Sequence, residues 1–533
     1  MAGAAVASHH QQGMLRCIRP HGNFTAAAVA ATGDKNTALV CHRPVTFDLH
    51  TQALFYQTGV GMKRWFMSAV AAAVVVAGCG GSDAEVAKAA PKNILFFLGD
   101  GMGMTTMTAA RIYKVGEEGE LTMDTLPETA FVKTFSGNAQ VTDSAPSMAA
   151  YMTGVKMNNE VISMSPETSA YDPVTLKDYL SGADTTCPTA GNGKPVTTLL
   201  ELAKTAGMGT GVVTTTRITH ATPAVTYSHL CHRDGENTIA AQVVPGGSGY
   251  NAALGDGVDV VLGGGLRHFL PKETAGSNRT DSRDLVAEMK AKGYSYAARK
   301  SDFDKLPATG KLLGLFTSSH MSYDLDRDAA KEPSLAEMTA RSIDQLKGNS
   351  KGFFLMVEGG RIDHALHETT ARKALQDTVA FDDAIKAGID KMKLIDPDLK
   401  NTLIVVTADH DHTMVLNGYA ARTGKTTDAN PGVLGLLRNY VDGVLGKDIG
   451  GNPFSIIGFG NGENRPVART ALTDAQVFDK NYHQEATIPT AAGSETHGGA
   501  DVFLGAIGKG SESFAGVMEN IAVFGLIRKA TGL

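Results

Sequence analysis

The chain has 533 residues, 43% hydrophobic and 20% charged, ordinary proportions for a globular protein, and its 60 Gly and 19 Pro are dispersed along it; this excludes disorder, collagen and coiled coil. A net charge of −6, with no stripe of Lys or Arg, excludes nucleic acid as the main partner.

The N-terminal segment stands apart. Its first 78 residues hold six Lys and Arg against two Asp and Glu, so the remainder carries 43 against 53 and a net charge of −10. Residues 1–61 show no periodicity and read as an upstream extension of the reading frame without a folded element. Met62 is a second start: Lys63 and Arg64 precede an apolar run from Trp65 to Ala77, so 62–78 reads as a signal peptide. That run of about 13 residues is short of the roughly 20 that span a bilayer as a helix. Val76-Ala77-Gly78-Cys79 is similar to a bacterial lipobox. A lipidated Cys79 with a linker over 79–91 would make the protein an exported lipoprotein, periplasmic or held at the outer membrane by that anchor. Cleavage nearby without lipidation is the alternative. Trp65 is the only tryptophan, so the processed protein is expected to lack indole fluorescence.

From Lys92 the chain alternates short apolar runs with polar loops and helical stretches. The first candidate strand, 93–98, leads into Gly99-Asp100-Gly101. Val141-Thr142-Asp143-Ser144-Ala145 then heads a stretch that reads as helical to Tyr151. A Ser there is ordinarily an N-cap. The same place is where a helix dipole favours an anion, and a metal at the oxygen would make its alkoxide accessible near neutral pH; Ser144 is therefore a candidate nucleophile. Cys187 and Cys231 are the two cysteines of the body. Export permits a disulfide between them, and two buried thiols stand as the alternative.

Candidate strands follow at 211–215, 258–262 and 353–357, the last running into Glu358-Gly359-Gly360. Asp363 and His367, four apart at a helix start, can share a face and a cation. Phe381, Ile385, Ile389 and Met392 step by four, four and three, which is one face of a helix. A strand at 402–407 precedes Asp409, His410 and His412, and another spans 502–507. Strands alternating with helices imply an α/β fold, a central mostly parallel β-sheet flanked by helices on both faces, with ligands gathered beyond the strands' carboxyl ends.

Three strands thus deliver carboxylate or imidazole to one edge. A single Asp after a strand is commonly a helix cap, but Glu358, Asp363, His364, His367, Asp409, His410 and His412 form a dense set. Of eleven histidines after Cys79, six lie in the segments of interest, at 220, 364, 367, 410, 412 and 497. Nitrogen and oxygen donors without Cys point to Zn²⁺ beside an oxygen-loving cation such as Mg²⁺.

Together these residues resemble the alkaline phosphatases. Phe97-Leu98-Gly99-Asp100-Gly101-Met102-Gly103, Asp143-Ser144-Ala145, His220-Ala221-Thr222-Pro223, Glu358-Gly359-Gly360-Arg361-Ile362-Asp363-His364, Thr407-Ala408-Asp409-His410 and Glu495-Thr496-His497 look like that family's motifs, in its order. The resemblance runs from about Lys92 to the end, making 92–533 the alkaline phosphatase domain. It implies hydrolysis of phosphate monoesters through a phosphoserine on Ser144, with Arg233 clamping phosphate. It further implies one Zn²⁺ on Asp363, His367 and His497, a second on Asp409, His410 and Asp100, and one Mg²⁺ on Asp100, Thr222 and Glu358. His220, His364 and His412 would be auxiliary, and a homodimer is implied.

This sequence also departs from parts of the family. His220 and His364 stand where the best-known enterobacterial members carry Asp and Lys, and where vertebrate members carry His at both. Phe316-Thr317 falls where calcium-binding vertebrate members have Phe-Glu, so calcium is not among the expected ions. Residues 413–496, rich in Gly and Asn, read as a variable, crown-like insertion. A sulfatase would need Arg where Met148 stands. A phosphodiesterase would share the metal ligands and differ only in relative rates on mono- and diesters, and a phosphate- or metal-binding surface lipoprotein would lack a catalytic residue.

Overall fold

The computed structural model describes residues 92–533. The expected upstream extension, the signal peptide, the lipidation site at Cys79 and the linker lie outside the described residues. A ten-stranded sheet organises the domain. In chain order its strands are β1 (Lys92–Gly99), β2 (Glu128–Lys133), β3 (Gly209–Arg217), β4 (Val260–Gly264), β5 (Tyr294–Ala297), β6 (Lys311–Leu315), β7 (Gly352–Gly359), β8 (Thr402–Ala408), β9 (Val502–Gly508) and β10 (Gly516–Glu519). Their order across the sheet is β10-β2-β9-β8-β1-β7-β3-β4-β6-β5. The run from β8 to β5 is parallel throughout. The last expected strand departs from the rest, because β9 runs antiparallel to both β8 and β2, so the sheet is mixed at one side.

The central strand β1 is apolar at every position from Ile94 to Leu98, and all five side chains are fully buried. This is the mark of a strand covered on both faces. Successive side chains point to opposite faces, and Phe96 and Phe97 identify the two covering layers. Phe96 meets Tyr151 of the helix Ser144–Thr153, with ring centroids 5.6 Å apart, while Phe97 meets Phe381 of the helix Ala371–Ile395 at 6.4 Å. Burying each Phe contributes about 1.5–3 kcal/mol. Phe381, Ile385, Ile389 and Met392 all lie in the core, the face their spacing predicts.

Register then aligns the chemistry. Gly99 pairs with Ala408 on one side and with Gly359 on the other, so β8, β1 and β7 end level and release Asp409, Asp100 and Glu358 at one edge. Thr214 of β3 pairs with Glu358, adding a fourth strand. Within 413–496 the chain forms a separate three-stranded sheet of Met414–Leu416, Ile457–Gly462 and Ala486–Pro489. Cys187 and Cys231 form a disulfide that spans 44 residues of sequence. Among the described residues no helix is long and apolar enough to cross a membrane.

Candidate active site

The helix Ser144–Thr153 is capped by Asp143, whose carboxylate accepts from the Ala145 N–H at 2.8 Å. Ser144 is therefore the first helical residue and its hydroxyl is spared capping duty. That hydroxyl lies 3.4 Å from Asp100 Oδ1 and 3.3 Å from His410 Nε2, and it is buried.

Two groups of donors flank it. On one side His410 Nε2 lies 3.3 Å from Asp100 Oδ1 and 3.4 Å from Asp409 Oδ2. Asp409 Oδ1 accepts from the Gly101 and His410 N–H groups, each at 3.0 Å, whereas its Oδ2 has no hydrogen-bond donor. On the other side a single oxygen, Asp363 Oδ1, faces His412 Nε2 at 2.8 Å, His367 Nε2 at 3.2 Å and His497 Nε2 at 3.5 Å. The His367 and His497 Nε2 atoms are 3.2 Å apart. Their Nδ1 atoms are occupied by the Glu495 and Thr142 carbonyl oxygens, which leaves both Nε2 atoms converging beside Asp363.

A third group lies behind Asp100. The Thr222 hydroxyl is 3.5 Å from Asp100 Oδ2. Glu358 Oε2 accepts from the Thr214 and Thr216 hydroxyls, and Glu358 Oε1 is buried without a donor. Glycine makes the crossing possible: Gly101 has φ +67°, and a Cβ there would sit 2.6 Å from the His412 ring.

Charge burial explains what these groups require. Among the described residues, none of Asp100, Glu358, Asp363 and Asp409 hydrogen-bonds to a lysine or arginine, and all four are buried. Burying an unpaired carboxylate costs several kcal/mol. Burial, reinforced by Asp363 and Glu358, raises the Asp100 carboxyl well above its ordinary range. Burial likewise pushes Asp409 up to about 8, with Asp100 adding to the shift, and Glu358 up to about 7. Asp363 goes the other way: burial opposes ionisation there, but His367, His412 and His497 outweigh it and hold the carboxyl well below its usual value. His412 has a carboxylate at each nitrogen, Glu495 Oε2 at 2.5 Å and Asp363 Oδ1. Against the effect of burial, these two push it up to about 10. Hydrogen-bonded at both nitrogens, it links Glu495 to Asp363. Orphaned carboxylate oxygens beside converging imidazole nitrogens fit divalent cations, and the donors fall into groups that include Asp363, His410, His412 and His497; Asp100, Asp409 and His410; and Asp100, His220 and Glu358.

Arg233 reaches the same place from the loop that follows the helix Ala221–Tyr227. Its NH1 donates to Asp143 Oδ1 at 3.0 Å and its NH2 to His220 Nε2 at 3.1 Å. His220 and His364 stand with ring centroids 5.3 Å apart, and burial lowers both, His364 to about 3. Every site residue expected from sequence lies in this one region. Sequence reasoning placed Glu495 in a motif but gave it no role; this residue orients His412 and, through its carbonyl, His367. The same reasoning missed Thr214 and Thr216, the donors to Glu358, and His320, whose ring lies 4.1 Å from that of His364. The alternation of Thr214 and Thr216 on one face of β3 was a usable signal; nothing in the sequence marks His320.

The sequence model of the alkaline phosphatase family matches residues 91–533. An alkaline phosphatase of Gadus morhua is 37% identical over 461 residues, covering 80% of this chain and 89% of that protein. The tissue-nonspecific isozyme of Gallus gallus is 36% identical over 461 residues, with 80% and 82% covered. Among solved structures, the alkaline phosphatase from the Antarctic bacterium TAB5 matches with a TM-score of 0.56 at 24% identity, covering 83% of this chain and 98% of that one. That of Thermus thermophilus matches at 0.58 and 24%, covering 84% and 92%. These two likenesses bear on the fold.

Proposed function

The chain belongs to the alkaline phosphatase family and is a phosphoric monoester hydrolase; from that premise we propose that it works through a phosphoserine on Ser144. The observation that carries the reading is the freed Ser144 hydroxyl, seated at a helix N-terminus between Asp100 and His410. Arg233 would turn its planar fork on two phosphate oxygens, and the first N–H groups of the helix add positive potential beside the same anion. Ser144 Oγ loses its proton to solvent and attacks phosphorus. The bond to the ester oxygen breaks, and the alcohol leaves with its bonding electrons and a solvent proton. Water then attacks the phosphoserine from the face the alcohol vacated, returning Ser144 and releasing inorganic phosphate.

Asp363, His367 and His497 would hold one Zn²⁺, Asp409, His410 and Asp100 a second, and Asp100, Thr222 and Glu358 an Mg²⁺. Bound there, the ions supply the Lewis acidity that stabilises charge on the attacking and departing oxygens. His412, locked by Glu495, fixes Asp363, and His220 holds the Arg233 fork from one side. A homodimer and an N-terminal lipid anchor at Cys79 complete the reading, checked by light scattering and by lipid labelling of a Cys79→Ser variant.

The test is p-nitrophenyl phosphate hydrolysis at alkaline pH by protein from Cys79 onward, beside Ser144→Ala and a bis-ester. Expected are monoester turnover abolished by chelator, a loss in Ser144→Ala of at least about 10³-fold, and a phosphorylated Ser144 peptide after acid quench. Full turnover by Ser144→Ala, or preference for the diester, would overturn the proposal.

A further inference from the structure

Asp143 joins the two halves of the phosphate site. Its Oδ1 accepts from the Ala145 N–H at 2.8 Å and from Arg233 NH1 at 3.0 Å, so one oxygen serves both the helix that begins at Ser144 and the clamp. Its other oxygen, Oδ2, accepts from the Glu160 N–H. The Asp143 N–H donates to Asn159 Oδ1 at 3.3 Å, and the Asn159 N–H donates to Asn138 Oδ1 at 2.9 Å. The Glu160 carbonyl accepts from the Arg233 N–H at 2.8 Å. Both backbone groups of Glu160 therefore meet the clamp, its donor on Asp143 and its acceptor on Arg233.

Glu160 makes these two contacts from φ +73°, in the left-handed region that side chains other than those of Asn and Asp rarely enter. Its surroundings do not favour the side chain either. Burial and Asp143 both disfavour its charge and push its carboxyl up to about 7, against the pull of Arg233. A strained backbone of this kind persists only where the surrounding structure over-determines it, and such residues gather at functional sites. We propose that Glu160 is a positioning residue for phosphate that acts through its left-handed backbone rather than its carboxylate, fixing where Asp143 and Arg233 stand.

The contacts favour the backbone as the cause. Among the described residues the Arg233 guanidinium hydrogen-bonds to Asp143 and His220 and not to the Glu160 carboxylate. If residue 160 turned to an extended conformation, its N–H would leave Asp143 Oδ2 and its carbonyl would leave the Arg233 N–H. Asp143 could then rotate, taking the Arg233 fork and the cap of the Ser144 helix with it. A misplacement of about 1 Å is enough to cost a site about 10²-fold. The consequence for phosphate rests on the reading of Arg233 given above; the backbone contacts do not.

The test uses the full exported chain loaded with Zn²⁺ and Mg²⁺ and compares three substitutions. Glu160→Gln removes only the charge, Glu160→Gly makes the left-handed backbone easy, and Glu160→Val makes it hard. Inorganic phosphate should inhibit Glu160→Gln and Glu160→Gly at least as strongly as wild type. It should inhibit Glu160→Val about 5- to 30-fold more weakly, the factor by which a left-handed conformation is disfavoured. In Glu160→Val the KM for p-nitrophenyl phosphate should rise more than kcat falls, and in an Arg233→Ala background the same substitution should weaken phosphate no further. Glu160→Gly as weak as Glu160→Val would assign the role to the side chain and overturn the proposal, and so would Glu160→Val binding phosphate as Glu160→Gln does. Should Glu160→Val not fold, Glu160→Ala replaces it with an expected weakening of about 2- to 5-fold against Glu160→Gly, and equal affinity overturns the proposal. Amide hydrogen exchange at Arg233 reads the backbone contact without phosphate: it should be faster in Glu160→Val, or in Glu160→Ala in its place, than in Glu160→Gln, and equal exchange overturns the proposal. If Arg233→Ala itself leaves phosphate inhibition unchanged, the clamp reading fails while exchange still decides whether the Glu160 backbone holds Arg233.

Discussion

Removing the Cys187–Cys231 disulfide is expected to lower stability and loosen the phosphate clamp together. The bridge spans 44 residues, and the loop-entropy relation puts its restraint on the unfolded chain at about 4 kcal/mol at 25 °C. A domain of about 440 residues unfolds with an entropy near 920 cal/mol/K, so the corresponding fall in Tm is about 4 °C. Cys231 is buried and lies two residues before Arg233. Without the bridge, the hydrogen bonds that still tether this loop are backbone contacts such as Arg233 N–H to Glu160 O and Asn237 N–H to Ala183 O, with the Arg233 side-chain bonds to Asp143 and His220. The double variant Cys187→Ala/Cys231→Ala avoids a stray thiol. It should be melted by calorimetry at several scan rates, because a protein of this size can unfold irreversibly, and assayed in parallel for KM and phosphate inhibition. The expected result is a Tm several degrees lower, a raised KM and a nearly unchanged kcat. A variant melting within about 1 °C of the parent would refute the loop-entropy reasoning. One that melts lower with unaltered phosphate affinity would refute the link to Arg233.

Arg233→Ala should weaken inhibition by inorganic phosphate about 10- to 100-fold, the cost of charge-assisted hydrogen bonds worth about 1.5–3 kcal/mol each. Arg233→Lys should fall between, since it keeps the charge and loses the fork. The metal-free protein should lose stability as pH rises from about 6.5 to about 8, above the range in which His364 and His497, lowered to about 3 by burial, act in the opposite direction. Asp409 and Glu358 are pushed up to about 8 and about 7 when folded, so the native state binds more protons than the unfolded chain across that window. His412, raised to about 10 by Glu495 and Asp363 against burial, contributes stability that is full below about 6.5 and disappears toward 10, the same direction. Melts of chelated and Zn²⁺/Mg²⁺-loaded protein across this range check it, and a metal-free protein that stabilises with rising pH would contradict it. Gly101→Ala places a side chain at φ +67°, 2.6 Å from the His412 ring. Strain of about 1–3 kcal/mol plus the clash should depress Tm and zinc retention together, measured by calorimetry and elemental analysis.

Much of this protein was legible one residue type at a time. The apolar run at 94–98 announced a strand buried on both faces, and the spacing of Phe381, Ile385, Ile389 and Met392 announced the helix beneath it, because burial imposes periods of two and 3.6 on any chain. The motifs around Asp100, Ser144, Glu358, Asp363, Asp409 and His497 named the family, because a site that gathers divalent cations and phosphate needs carboxylate, imidazole and hydroxyl at strand and helix ends. Other features had no local signature. That β9 runs antiparallel, that Cys187 meets Cys231 and that Glu495 holds His412 all depend on partners far away in sequence. Local pattern reports whether a side chain prefers water or the interior. Which donor faces which acceptor is decided only when register and packing bring distant backbones within about 3 Å, where hydrogen bonds and charges act.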